Sequence, residues 1–336
     1  MHMTDAMLSP AVGGIMMIAS TRAVGHSVKK LTGDHLDEKK IPLMGVMGAF
    51  IFAGQMVNFT IPGTGSSGHI GGGILLAALL GPFPALLTLS VVLLIQCLFF
   101  ADGGLLAYGC NVFNIGICSC LLAYQFFYKP IIRRGMNKRN ITAAAVVSVV
   151  LGLQMGAFCV VMEVVASGVT ELPFGAFALL MQPIHLAIGI IEGLVTAAVL
   201  CYVHGVHPEI LDGSVGNSDF NTGITMKKVV PTFLVMTVLT GAVMSQFASV
   251  LPDGLEWSVE TVAGTVELER EGTAYDVMGE AVDALAIMPG YTFSDEDSGS
   301  GRSTALAGIV GSAITIILAG GLGFMIHATR KKTHTG

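Results

Sequence analysis

The chain has 336 residues, 53% of them apolar and 12% charged, where a soluble globular protein carries about 25% charged residues. Its 17 Lys and Arg with 23 Asp and Glu cannot form the polar shell that a soluble fold of this length needs, so much of the surface must face lipid. The net charge of −6 is an uneven sum: residues 249–304 hold 12 acidic and 2 basic residues, which makes that segment net −10 and the rest net +4.

Apolar runs approaching the ~20 residues of a bilayer span occur at 10–28, 43–61, 83–101, 105–128, 141–166, 174–206, 229–250 and 305–327. A shorter run, 70–80, lies between a glycine-rich loop and the breaker Gly81-Pro82-Phe83-Pro84 and is read as a ninth, short helix. Glycine, 43 residues in all, suits close helix packing in a membrane. Four basic groups test the count: Lys29, Lys30, Lys39 and Lys40; Lys129, Arg133, Arg134, Lys138 and Arg139; Lys227 and Lys228; Arg330, Lys331 and Lys332. With nine crossings, the amino terminus outside and the carboxyl terminus cytoplasmic, all four fall inside, as the positive-inside rule requires. The expectation is an all-α, multi-pass protein of the cell (inner) membrane. Residues 1–207 form a seven-helix unit, 208–226 a cytoplasmic linker, and 227–336 a two-helix unit around an acidic outer loop, 249–304. That loop is either a small module or partly disordered.

Cys97, Cys110, Cys118, Cys120, Cys159 and Cys201 show no CxxC spacing and read as buried free thiols. The amino terminus lacks a positive n-region and a small-residue cleavage pattern, so it is expected to stay on the mature chain. On this topology His2 and His69 share the outer face.

Met1-His2 offers a divalent metal the α-amine, the His2 amide nitrogen and the His2 imidazole Nδ1, which close two adjacent chelate rings in one plane. Planar nitrogen sets favour Ni(II) or Cu(II). His69, after the glycine-rich stretch 63–68, is a candidate fourth donor, and binding would compete with protons. A surface histidine at position 2 and a plain turn at 63–69 are the competing readings of the same residues.

Four segments carry a resemblance: Met1-His2-Met3 followed by Leu8-Ser9-Pro10, then Gly65-Ser66-Ser67-Gly68-His69-Ile70-Gly71-Gly72, then Gly109-Cys110-Asn111-Val112-Phe113-Asn114-Ile115-Gly116, then His185-Leu186-Ala187-Ile188-Gly189-Ile190-Ile191-Glu192-Gly193. In this order they resemble the nickel/cobalt substrate-capture (S) components of energy-coupling factor (ECF) transporters, the CbiM/NikM family. Pro252-Asp253-Gly254-Leu255-Glu256 resembles the PDGLE motif of the CbiN/NikN accessory subunit, here fused behind the capture unit, and Met288-Pro289-Gly290-Tyr291 looks like a further piece of its loop. The resemblance implies Met1, His2 and His69 as ligands and Ni2+ or Co2+ as transported substrate rather than cofactor. It also implies separate ECF ATPase subunits with a transmembrane coupling subunit as partners, and cobalamin biosynthesis as one outlet for cobalt. Membrane lipid is the other expected partner, and no nucleic acid is expected. The family often has an Ile or Pro-type residue where Met3 and Thr4 stand; Met3 reads as an apolar anchor, with a weak axial thioether contact as the alternative.

His185 and Glu192, seven apart, share a helix face. Intramembrane ionisable groups usually face the bundle interior, so they read either as a relay below the site or as hydrogen-bonding groups that lock packing. Glu163 and Gln154 raise the same question. Asn111 and Asn114 are read as supports of the ligand loop or as interhelical packing. His26, His35, His204, His207, His327 and His334 receive no role. No Gly-x-x-x-x-Gly-Lys-Ser/Thr loop occurs, so ATP hydrolysis is expected on partner chains and no enzyme activity here. Two competing functions are a secondary metal-cation transporter and an intramembrane serine protease using Ser67, in Gly65-Ser66-Ser67-Gly68, with His185 as base.

Overall fold

A computed structural model describes residues 1–33, 40–208, 210–211, 226–265, 268, 271–292 and 301–334. Within them the chain is helical apart from one hairpin, β1 (Phe59–Ile61) paired antiparallel with β2 (Ser66–Gly68). The all-α expectation holds for the architecture, and the short hairpin takes only the end of the apolar run 43–61 out of its helix. The helices are α1 (Pro10–Gly33), α2 (Lys40–Gln55), α3 (Gly73–Leu80), α4 (Pro82–Phe100) and α5 (Tyr108–Ile132), then α6 (Lys138–Ser167) and α7 (Phe174–Val206). The second unit follows with α8 (Met226–Val238), α9 (Gly254–Ala263), α10 (Thr273–Asp283) and α11 (Gly301–His334).

Among the described residues, six helical segments are long and apolar enough to cross a membrane: α4, α5, α6, α7, Val229–Phe247 and Gly301–Ala328. The other three spans of the nine-span reading are of a different kind. α1 carries Arg22, His26, Lys29 and Lys30 along its length. α2 has 16 residues, about 24 Å at 1.5 Å per residue, and α3 has eight, about 12 Å, too short to cross a ~30 Å hydrocarbon core unaided. Both are buried in protein, α2 from Leu43 to Gln55 and α3 throughout, as helices apolar on every side should be.

Local chemistry sets the helix ends. Pro82 starts α4 where its missing N–H is harmless, and Gly81, at φ +89°, makes the turn from α3. Asn137 caps α6 by accepting from Asn140 N at 3.0 Å. Residues Val112–Tyr128 of α5 are wound as a π-helix, a form that often marks functional positions. Glycines set the crossings: a Cβ on Gly193 would sit 2.8 Å from Val146 Cα, and one on Gly189 3.2 Å from Val150 Cα, so α6 and α7 meet backbone to backbone. Gly241 and Gly308 bring Leu239–Val243, the continuation of α8, equally close to α11, where a Cβ on Gly308 would lie 2.7 Å from Gly241 O. α11 in turn packs on α2, with Ser312 Oγ donating to Ala49 O at 3.2 Å.

Of the expected linker 208–226, only Pro208, Ile210, Leu211 and Met226 lie within the described residues. His35, Lys39, most of that linker and residues 293–300 of the acidic loop lie outside them.

Candidate metal centre

The amino terminus is threaded into the helix bundle. Met1, Met3, Met7 and Leu8 are buried, and Met3 is pinned at its backbone: Met3 N donates to Asn111 Oδ1 at 2.8 Å, and Asn111 Nδ2 donates back to Met3 O at 3.0 Å. Asn114 Nδ2 donates to Glu163 Oε2 at 2.7 Å and reaches Met3 Sδ at 3.6 Å. The two asparagines thus hold the segment behind His2, and Met3 is an apolar anchor. Asp5 accepts from Ala107 N at 2.9 Å.

His69 arrives from β2. Its Nδ1 donates to Ile70 O at 3.1 Å, which fixes the tautomer and leaves the Nε2 lone pair facing Met1 N at 3.4 Å. Three side chains fix the loop behind it. Glu192 Oε1 accepts from Gly72 N at 2.9 Å, where Gly72 has φ +77°. Gln55 Nε2 donates to Gly71 O at 3.0 Å, and Gln96 Nε2 donates to Gln55 Oε1 at 2.8 Å. Glu192 therefore bonds the ligand loop rather than His185.

Burial pushes the His69 imidazole down to about 3, with the Met1 ammonium and His2 adding to it. Burial also lowers His2 against the pull of Asp102. Both rings are therefore neutral near pH 7 and offer lone pairs. They stack with centroids 5.3 Å apart at 11°. His2 Nδ1 is turned toward Asp102 Oδ2 at 3.5 Å, and its Nε2 is buried without a partner. The structure thus brings Met1 and His69 together and seats His2 beside them with its Nδ1 turned away; the planar chelate needs that ring to rotate.

Sequence reasoning gave no role to Asp102, Gln55 or Gln96, and it had Asp253 and Tyr291 only as parts of motifs. Tyr291 Oη donates to Asp102 Oδ2 at 2.5 Å, which ties the second unit to the carboxylate facing His2. Asp253 Oδ2 accepts from the Met1 ammonium at 2.5 Å and lies 3.9 Å from His69 Nε2; with His69 neutral, the latter is no ion pair. Burial raises the Asp253 carboxyl, but the Met1 ammonium and the N–H groups it accepts from outweigh this and hold it below the usual carboxylate range. The available signal was polar residues inside apolar runs, which Gln55 and Gln96 both are.

A cavity of about 20 Å³, about the size for one ion or water, adjoins Met1 and is lined by His69, His185, Leu153, Ile188, Asp253 and Gly254 among others. His185 Nδ1 donates to Met181 O at 2.7 Å, so its lone pair is on Nε2, buried and unpartnered. Ser67 does not pair with it. Ser67 Oγ donates to Leu251 O at 2.7 Å and Ser67 N donates to Pro252 O at 2.8 Å, so this serine docks the second unit's loop and offers no nucleophile–base pair. Gln154 Nε2 donates to Gln182 O at 2.8 Å. Among the described residues no group of three His, Cys, Asp or Glu side chains is gathered for a metal, and all six cysteines are free thiols. Main-chain nitrogens must complete any set here.

A multi-span helical bundle that holds a buried α-amine against a neutral histidine defines a membrane protein with a nitrogen-lined pocket at its amino terminus. Residues 2–210 match the family described as the cobalt uptake substrate-specific transmembrane region, CbiM, and residues 227–328 match the PDGLE domain. The chain belongs to the CbiM family, continuous with a PDGLE domain. It is 32% identical to the putative fused nickel transport protein NikMN of Archaeoglobus fulgidus over 95% of this chain and 96% of that one. It is 30% identical to the fused nickel transport protein NikMN of Rhodobacter capsulatus over 63% of this chain and 64% of that one. A crystal structure of a truncated transition metal transporter superposes with TM-score 0.54 at 29% identity, covering 62% of this chain and all of that one.

Proposed function

We propose that this chain captures Ni(II) or Co(II) at the outer face through the Met1 amine, the His2 amide and imidazole, and His69. In this reading it delivers the ion inward as the substrate-binding component of an ATP-driven ECF transporter. Residues 1–207 act as the capture unit and 227–336 as the accessory unit, with nine crossings and the amino terminus outside. The observation that carries the reading is the neutral Nε2 of His69 held 3.4 Å from the buried Met1 nitrogen. The fused nickel transport proteins among its relatives support the choice of ion. Planar nitrogen coordination favours Ni(II). ATP hydrolysis falls to separate ATPase subunits through a membrane coupling subunit, because this chain has no phosphate-binding loop.

Metal analysis of the purified chain with a Ni(II)/Co(II) competition series tests the capture step. Uptake by cells with and without the ATPase subunits tests the coupling. One tightly held divalent ion per chain and ATPase-dependent uptake are expected. Uptake that persists without any ATPase partner would replace this reading with a secondary carrier.

A further inference from the structure

Asp253 has two oxygens with two tasks. Oδ1 caps α9, accepting from Leu255 N at 2.7 Å and Glu256 N at 2.9 Å, and Glu256 closes the capping box by accepting from Asp253 N at 2.9 Å. Oδ2 plays no part in the cap and reaches out to the Met1 ammonium at 2.5 Å. The approach is built for close fit. Ser67 holds the residues just before Asp253, and a Cβ on Gly254 would lie 2.9 Å from Ile188 Cδ1 and 3.2 Å from His185 Cε1. The other nearby carboxylate, Asp102, serves the His2 ring and Tyr291 rather than the amine.

Charge arithmetic gives this contact a meaning, on the reading that the metal takes Met1, His2 and His69. Without metal the buried terminus carries +1 on its ammonium. When a divalent ion binds, the amine and the His2 amide each give up a proton to solvent; a neutral amine, an ionised amide and two neutral imidazoles around M2+ again sum to +1. Asp253 is the carboxylate in direct contact with the nitrogen that carries this charge, Asp102 standing behind the His2 ring, and an uncompensated buried charge is costly. The metal-bound amine still carries N–H groups, so Oδ2 keeps its hydrogen bond after the exchange. We propose that Asp253, supplied by the accessory unit, is the counter-ion of the metal site: a positioning residue that accepts from the coordinated amine and matches the site to a doubly charged cation.

The test is a Ni(II) titration of the full chain against a competing chelator, with the visible ligand-field spectrum recorded throughout. Asp253→Asn and Asp253→Ser keep an α9 cap, since Asn and Ser are good N-cap residues, and remove the charge. Both should bind about 10–100-fold more weakly, the usual cost of losing an outer partner of a ligand, with the spectrum unchanged. Asp253→Glu should stay near the unaltered chain. Neutral variants that bind like the unaltered chain overturn the proposal, as does Asp253→Glu falling as far as Asp253→Asn. A changed spectrum in Asp253→Asn overturns it in favour of direct coordination. A chain extended by one residue before Met1 separates the two ideas: binding unaffected by the extension removes the amine reading itself, whereas binding lost there but kept in the Asn and Ser variants removes only the counter-ion.

Discussion

The two units meet their surroundings to different degrees. In the first, the most apolar stretches of α4, α5, α6 and α7 lie 72%, 61%, 50% and 44% inside the protein, whereas the second unit's spans are 28% and 33% covered, over Val229–Phe247 and Gly301–Ala328. The second unit's spans are thus mostly free for lipid, joined to each other at Gly241 and Gly308 and to the rest mainly through α2, with α4 and α1 also touching α11. Its outer loop behaves differently. Asp253 meets the amine of Met1, Tyr275 Oη donates to Leu8 O at 2.8 Å, and Tyr291 holds Asp102 beside His2. On the proposed reading the first unit supplies four nitrogen ligands, and the second unit grips the segment that carries three of them.

Removing a proposed ligand of the first unit should therefore abolish tight binding, whereas loosening the second unit's grip should only weaken it. The largest effect is expected at the ligands: His69→Ala should weaken Ni(II) binding by more than about 100-fold, since even outer partners of metal ligands cost about 10–100-fold. A titration reads this directly, and a loss below tenfold would separate His69 from the metal. Next comes the loop behind it. Glu192→Leu leaves the buried Gly72 N–H without its acceptor and should lower stability by about 1–3 kcal/mol, the cost of an unsatisfied buried donor. The thermal midpoint of the metal-free chain checks it. On the second unit, Tyr291→Phe deletes a single hydroxyl donor and should cost about 0.5–1.5 kcal/mol of binding, measured in the same titration. A Tyr291→Phe effect as large as that of His69→Ala would erase the distinction between the units. The smallest effect is expected at Ser67→Ala, which loses the bond to Leu251 O and should loosen the docked loop, seen as faster amide exchange around 251–256, with near-normal capture.

Much of this was legible in the sequence because the governing forces are local or compositional. The low charged fraction named lipid as solvent, the long apolar runs located the six long spans, and the order of short motifs pointed to the family. The free thiols and the buried setting of His185 and Glu192 followed from the same reasoning. What escaped it depends on partners far apart in the chain. The 16 residues of α2 owe their burial to α11, about 270 positions later, and nothing near Leu43 encodes that. The hairpin at 59–68 is fixed by Ser67 bonding to Leu251 and Pro252. Asp102 reads as an ordinary loop aspartate until Tyr291 and His2 close on it. Asp253 was visible as a motif residue, but a capping box alone explains its conservative chemistry; only the fold reveals that its second oxygen faces the amino terminus. The spacing of His185 and Glu192 suggested a joint role, yet they bond to Met181 and Gly72 instead of to each other.

The central claim is that the amine of Met1 is a metal ligand. The most direct measurement is Ni(II) affinity of the purified chain with and without one added residue before Met1, with the fold monitored by thermal unfolding in the absence of metal. The extended chain is expected to unfold at nearly the same temperature and to lose tight Ni(II) binding together with its planar-nitrogen spectrum. Equal affinity and an unchanged spectrum in the two chains would contradict it.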